Sequence, residues 1–189
     1  RGLERLAAAV NNTPDIFKTD LFWPIIEKLE EISTLRYGQD ERATRAMRLI
    51  AVHLKASVMI CRDNVLPSNK TQGYVLRRLL RRSLNSGRQL GLKMSEFPFG
   101  DLFSRINDIY GDLFPDLAGR KEEIVAIFGA EGRKFDQAVK AGVKEIEKTE
   151  KIDSQTAFYL FESFGLPFEI TEEIARERGQ TIKKEDFQK

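Results

Sequence analysis

The chain carries one cysteine and one histidine in 189 residues, and each scarcity closes off a class of function. A lone Cys61 forms no internal disulfide, and together with His53 it supplies too few soft ligands for a zinc site. A reducing, cytoplasmic setting is the default for such a composition. No apolar run approaches the roughly 20 residues needed to span a bilayer. The opening Arg1-Gly2-Leu3-Glu4-Arg5 lacks the apolar stretch of a secretion signal. It also lacks an initiating methionine, and helix-forming sequence begins at once, so a piece of a longer protein is expected. Hairpin turns of the Asn-Gly or Asp-Gly type are missing, and no stretch alternates with the period of a half-buried strand. Nothing resembles a nucleophile–base pair, a glycine-rich phosphate loop or the paired carboxylates of a hydrolase. No catalytic residue and no metal ligand set is therefore assigned.

What is present reads as an ordinary globular chain, 41% hydrophobic and 32% charged, with material for a sizeable core. Its length suits one domain, or a compact domain with an appended smaller lobe. The periodicity is helical throughout. An Ala-rich segment from Leu3 to Val10 stops at Asn11-Asn12-Thr13-Pro14. Asp20 is placed to cap a helix running to about Ile32, with Pro24 in its first turn. Ala43, Met47, Ile50, Leu54, Val58 and Cys61 step by threes and fours along one helical face. That stripe makes Cys61 a buried, inert thiol and leaves His53 beside it as a structural hydrogen-bonding group. A helix is expected around Leu102 to Tyr110, then a long amphipathic one with Phe135, Val139, Gly142 and Ile146 on one face. Asp153 or Ser154 caps a short helix whose apolar face is Ala157, Leu160, Phe161 and Phe164, ended by Gly165 and Pro167. Thr171 is placed to cap Glu172 to Arg178, with Gly179 as the stop. The fold class that follows is all-α: an irregular multi-helix bundle with a short C-terminal helical lobe.

The net charge of +2 conceals a concentration of positive charge. Between Arg62 and Lys93 lie eight basic residues and a single acid, Asp63, so the rest of the chain is net acidic and this segment offers a local anion-binding surface. Within it, Gly73 to Ser86 reads as a helix with Leu76, Leu79, Leu80 and Leu84 behind and Arg77, Arg78, Arg81 and Arg82 in front. Like charges four residues apart repel by a few tenths of a kcal/mol per pair, and no acid lies within a turn to relieve them. Three readings stay open: a nucleic-acid backbone, acidic residues elsewhere in the fold, or solvent. Guanidinium is suited to bidentate phosphate contact. Asn69, in the turn just before this helix, reads by itself as a cap or turn residue.

Four blocks go further. Val65-Leu66-Pro67-Ser68-Asn69-Lys70-Thr71-Gln72-Gly73-Tyr74-Val75-Leu76-Arg77-Arg78-Leu79-Leu80-Arg81-Arg82 closely resembles the alanyl-tRNA synthetase family, as does Met47 to Leu54. So does Thr156-Ala157-Phe158-Tyr159-Leu160-Phe161-Glu162-Ser163-Phe164-Gly165-Leu166-Pro167 with its continuation Thr171 to Gly179. Gly2-Leu3-Glu4-Arg5 is similar to the end of that family's third class II motif. The blocks stand in the family's order over essentially the whole chain. The resemblance implies that residues 1–12 are the tail of the aminoacylation domain and residues 13–189 the helical domain that recognises the tRNA acceptor stem. It implies that Arg5 is the arginine that contacts ATP, that the parent enzyme uses ATP and magnesium to attach alanine, and that this part alone is catalytically inactive. Its partners would be alanine tRNA and the rest of the synthetase, with no cofactor of its own.

The family reads a G·U wobble pair in the acceptor stem with an asparagine and an aspartate. The asparagine matches Asn69, and the aspartate's place is taken by Glu162, which keeps the charge and adds a methylene. Val52 is a second departure, where the family usually has an acid beside the histidine. A wobble pair leaves the guanine exocyclic amine in the minor groove, where RNA base edges are accessible, and amide and carboxylate oxygens accept hydrogen bonds from it. Arg77, Arg78, Arg81 and Arg82 would hold the phosphates. The competing expectation, from another class, is a helical interaction module whose basic face docks an acidic protein partner.

Overall fold

The computed structural model describes residues 2–182. Among them are eight α-helices linked by short 3-10 turns and loops, with no strand, as the helical periodicity implies. They are α1 (Leu3–Val10), α2 (Trp23–Ser33), α3 (Glu41–Arg62), α4 (Thr71–Gln89), α5 (Phe99–Tyr110), α6 (Lys121–Glu147), α7 (Ser154–Phe164) and α8 (Phe168–Glu177). The chain divides into two compact units, Arg1–Gly132 and Arg133–Lys189.

In the first unit α3 and α4 form the most extensive helix pair, and α2 and α5 pack on α3 and on each other. The buried faces follow the apolar spacing: Ile25, Ile26 and Leu29 of α2, Met47, Ile50 and Leu54 of α3, Leu76, Leu80 and Leu84 of α4, and Leu102 and Ile106 of α5. Each such side chain contributes about 1.5–3 kcal/mol when removed from water, and this packing of amphipathic faces supplies most of the stability of the helices. Asp40 starts α3 by accepting from the Ala43 amide at 2.6 Å. Asp20 does not cap α2, which begins at Trp23 without a side-chain cap. The turn before it is closed instead by the Thr19 carbonyl, which accepts from the amides of Phe22 and Trp23 at 3.1 and 2.8 Å. Pro24 needs no amide partner in that first turn.

Two polar ties join segments distant in sequence. Lys55 donates to Glu4 at 2.7 Å and lies 4.1 Å from the centre of the Phe22 ring, which fastens α1 to α3. This hydrogen bond from Lys55 holds the Glu4 carboxyl below its ordinary range. Arg48 donates to Asp15 at 2.9 Å and to the Tyr37 hydroxyl at 2.6 Å, and that hydroxyl donates to Asp15 at 2.6 Å. Burial, then the neighbouring Asp15, pushes the Tyr37 phenol up to about 12. The Cys61 thiol is buried and free, as expected, and burial raises its pKa.

The second unit contains α7 and α8 packed together, with the last turns of α6. Phe135, Val139 and Ile146 are buried, and a Cβ on Gly142 would sit 3.2 Å from Leu166, so the stripe read from the sequence is a packing face. Asp153 caps α7, accepting from the Thr156 amide at 2.9 Å. Thr171 does not start a helix. α8 begins at Phe168, three residues earlier, because Pro167 turns the chain and the buried Phe168 and Ile170 extend the apolar face; Thr171 is an interior, fully buried residue. Phe161, expected in the apolar face of α7, is exposed beside Phe158, Tyr159 and Glu162. That buried face is centred on Ala157 and Leu160, and Phe161 lies over its rim.

Candidate nucleic-acid interface

Asn69 owes its position to a tightly closed loop. The Ser68 amide donates to the Gly73 carbonyl at 3.0 Å, and the Ser68 hydroxyl donates to the Lys70 carbonyl at 3.1 Å. Gly73 makes this closure possible, because a Cβ there would lie 2.2 Å from Ser68 Oγ and 2.4 Å from the Leu66 carbonyl oxygen. A backbone oxygen cannot step aside at such a distance, so only glycine lets the loop lie on the first turn of α4. From that turn the helix carries Arg77, which donates to Asn69 Oδ1.

The arginine face separates into two stripes. Arg78 and Arg82 are exposed, and no carboxylate pairs with them among the described residues. Arg77 and Arg81, one residue back in each case, lie on the flank between solvent and core. Arg81 donates through Nε to Glu131 of α6 at 2.7 Å, and that glutamate is only 5% exposed. The intramolecular pairing weighed from the sequence is thus realised at Arg81, with a partner 50 residues away. Leu79, expected on the apolar back, is on its rim; the buried face runs through Gly73, Leu76, Leu80, Ser83, Leu84 and Gly87.

Elsewhere in the basic segment Arg62 makes a forked contact with Asp116 at 2.9 Å through each of Nε and Nη2. Lys70, beside Asn69, is exposed. The outward face of α4 also includes Tyr74, 41% exposed and one turn before Arg78. The sequence reading omits Tyr74, although its spacing of four and eight from Arg78 and Arg82 is the signal that places it there. Glu131 is missed as well, and no local pattern marks it. His53 of α3 is 9% exposed, and its Nδ1 has no hydrogen-bond partner. The structural hydrogen-bonding role expected of it is therefore not made at that nitrogen. Burial, then the positive charge of Arg82, lowers its pKa to about 4.

Glu162 stands exposed on α7 in the second unit, with Asn69 and the four arginines in the first. Arg5 is exposed on α1. No three His, Cys, Asp or Glu side chains converge as a metal site among the described residues, and one exposed arginine does not make a nucleotide pocket. The residues described do not fit an ATP–magnesium site.

The outer face of α4 is cationic, with the Asn69 amide held at its edge by Arg77. The family model described as tRNA synthetases class II (A) matches residues 1–189. The chain belongs to that family. Similar members of this synthetase family include the alanine–tRNA ligase of Borrelia hermsii, 38% identical over 195 residues, covering 99% of this chain and 32% of the relative. That of Borrelia garinii subsp. bavariensis is 41% identical over 194 residues, covering 98% and 32%. That of Thermotoga petrophila is 36% identical over 192 residues, covering all of this chain and 22% of the relative. The chain therefore spans between about a fifth and a third of the length of the curated relatives it matches.

Proposed function

We propose that this chain is the tRNA-recognition portion of an alanine–tRNA ligase that binds the acceptor stem of alanine tRNA and reads its G·U pair. The observation that carries the reading is the joining of Asn69 to the head of an exposed arginine helix in a chain that matches such ligases along nearly its whole length. Arg78 and Arg82 hold phosphates directly, while Arg77 is engaged with Asn69 and Arg81 with Glu131. Asn69 and Glu162 accept hydrogen bonds from the wobble pair in the minor groove. Residues 1–12 are the tail of the aminoacylation domain, where Arg5 serves ATP once the rest of the parent enzyme is present, and residues 13–189 are the recognition domain. The parent attaches alanine to tRNA with ATP and magnesium, in the cytoplasm; this part alone does not activate alanine.

The test is a titration of the protein with alanine-tRNA acceptor hairpins bearing G·U or G·C at the identity position. The wild type favours the wobble stem. Asn69→Ala loses that preference more than it loses total affinity, and equal losses on both stems count against base readout. Absence of any binding at low salt, where electrostatic attraction is strongest, rejects the RNA reading and favours an acidic protein partner for the same face.

A further inference from the structure

We propose that Arg77 is a positioning residue for Asn69, setting which way the amide faces, and that discrimination between wobble and Watson–Crick stems depends on it. This rests on the acceptor-stem reading above. A guanidinium only donates hydrogen bonds, so the atom of Asn69 that faces Arg77 is its oxygen. One lone pair of that oxygen is engaged; the second lone pair and the amide NH2 are left to meet a ligand in fixed directions. Without the guanidinium the amide is free to turn by half a rotation about its last bond, which exchanges an acceptor for a donor. A donor facing the guanine amine repels it, whereas phosphates are indifferent to the change. The cost of losing Arg77 is therefore a cost in selectivity.

The surroundings support a device of this kind. The backbone of Asn69 is already constrained on both sides by the Ser68–Lys70 hydrogen bonds and the Ser68–Gly73 closure. The remaining freedom is in its side chain, and Arg77 removes it. Arg77 is half-buried on the flank of α4, unlike the exposed Arg78 next to it, so its stem is steadied by the helix while its head reaches the loop. Its neighbour on the same stripe, Arg81, is likewise engaged inside the protein. The two stripes of α4 divide the work: one shapes the site, the other attracts the backbone.

Two measurements test this. In the first, Arg77→Met and Arg78→Met are compared on the G·U and G·C hairpins across a salt series. The expected result is a loss of selectivity of about tenfold for Arg77→Met, the order of one correctly oriented hydrogen bond, with the salt slope kept. Arg78→Met shows the reverse, and Arg77→Lys, which retains a donor, keeps more selectivity than Arg77→Met. An Arg77→Met variant with unchanged selectivity and a reduced salt slope overturns the proposal and makes Arg77 an ordinary phosphate-binding residue. The second needs no RNA. The side-chain NH2 resonances of Asn69, assigned through Asn69→Asp, are expected to relax as a rigid group in the wild type and as a mobile one in Arg77→Met. Identical relaxation in both overturns the positioning role even if the hairpin does not bind, whereas absence of hairpin binding alone sinks only the RNA reading.

Discussion

Arg81 and Arg82 are adjacent in the chain and chemically identical, yet they do opposite things. Arg81 is spent on a buried carboxylate of α6, while Arg82 faces water with no carboxylate among the described residues. The same split recurs one turn earlier, between Arg77 on Asn69 and Arg78 in solvent. A turn of about 100° per residue is enough to move a side chain from the flank of a helix to its outer face. A doubled Arg-Arg at a spacing of four is therefore two stripes with different surroundings.

The largest effect expected from this contrast is on stability. Replacing Arg81 with Met leaves the Glu131 carboxylate, 5% exposed, without its principal cation, and breaking such a pair costs about 3–5 kcal/mol. Arg78→Met, at an exposed position, stays within about 0.5 kcal/mol of the wild type. Urea unfolding of the two variants measures both. If Arg81→Met unfolds at the same urea concentration as Arg78→Met, the two stripes are not different in kind.

The next effect is on binding. Arg78→Ala and Arg82→Ala should each reduce the salt slope of hairpin binding by about 0.7–0.9, the change produced when one phosphate is no longer neutralised. Arg77→Ala should leave the slope nearly unchanged while its selectivity falls. Affinities measured from low to moderate salt give both quantities. Equal slopes for the wild type and both outer-stripe variants would remove Arg78 and Arg82 from the interface.

Most of the fold is visible in the sequence because helical burial has a local cause. The spacing from Ala43 to Cys61 gives α3, and Asp153 followed by an apolar face gives α7. The helix starts are less legible. Asp20 and Thr171 have the side chains of caps, but Pro24 and Pro167 and the burial of Phe22 and Phe168 set the boundaries elsewhere. For the candidate site, the basic helix and the turn holding Asn69 are visible, whereas which of its arginines are engaged within the protein is not. That engagement depends on Glu131, 50 residues from Arg81, and on the loop closure that brings Ser68 against Gly73. Periodicity reports which side of a helix is apolar, and tertiary packing decides which of its charges are already taken.

The smallest effect is the most direct probe of Arg82. His53 is buried and its pKa is lowered to about 4, first by burial and then by the Arg82 charge. The unfolded chain binds this proton near pH 6.5, the ordinary histidine value. Between that value and about 4 the unfolded state thus holds more protons than the folded one, and the contribution of neutral His53 to stability is lost as pH falls through this window. Arg82→Met removes the smaller of the two causes, so the His53 midpoint should rise while remaining below its ordinary value. Arg78→Met should leave it in place. The chain has a single histidine, so its ring proton resonance followed by NMR gives the midpoint without assignment ambiguity. An anion bound at Arg82 should act in the same direction as the mutation, because it too screens the positive charge that His53 senses. An equal rise in both variants would mean that His53 responds to general charge and not to the outer stripe; a rise specific to Arg82, repeated when the hairpin is added to the wild type, would place a phosphate on that side chain.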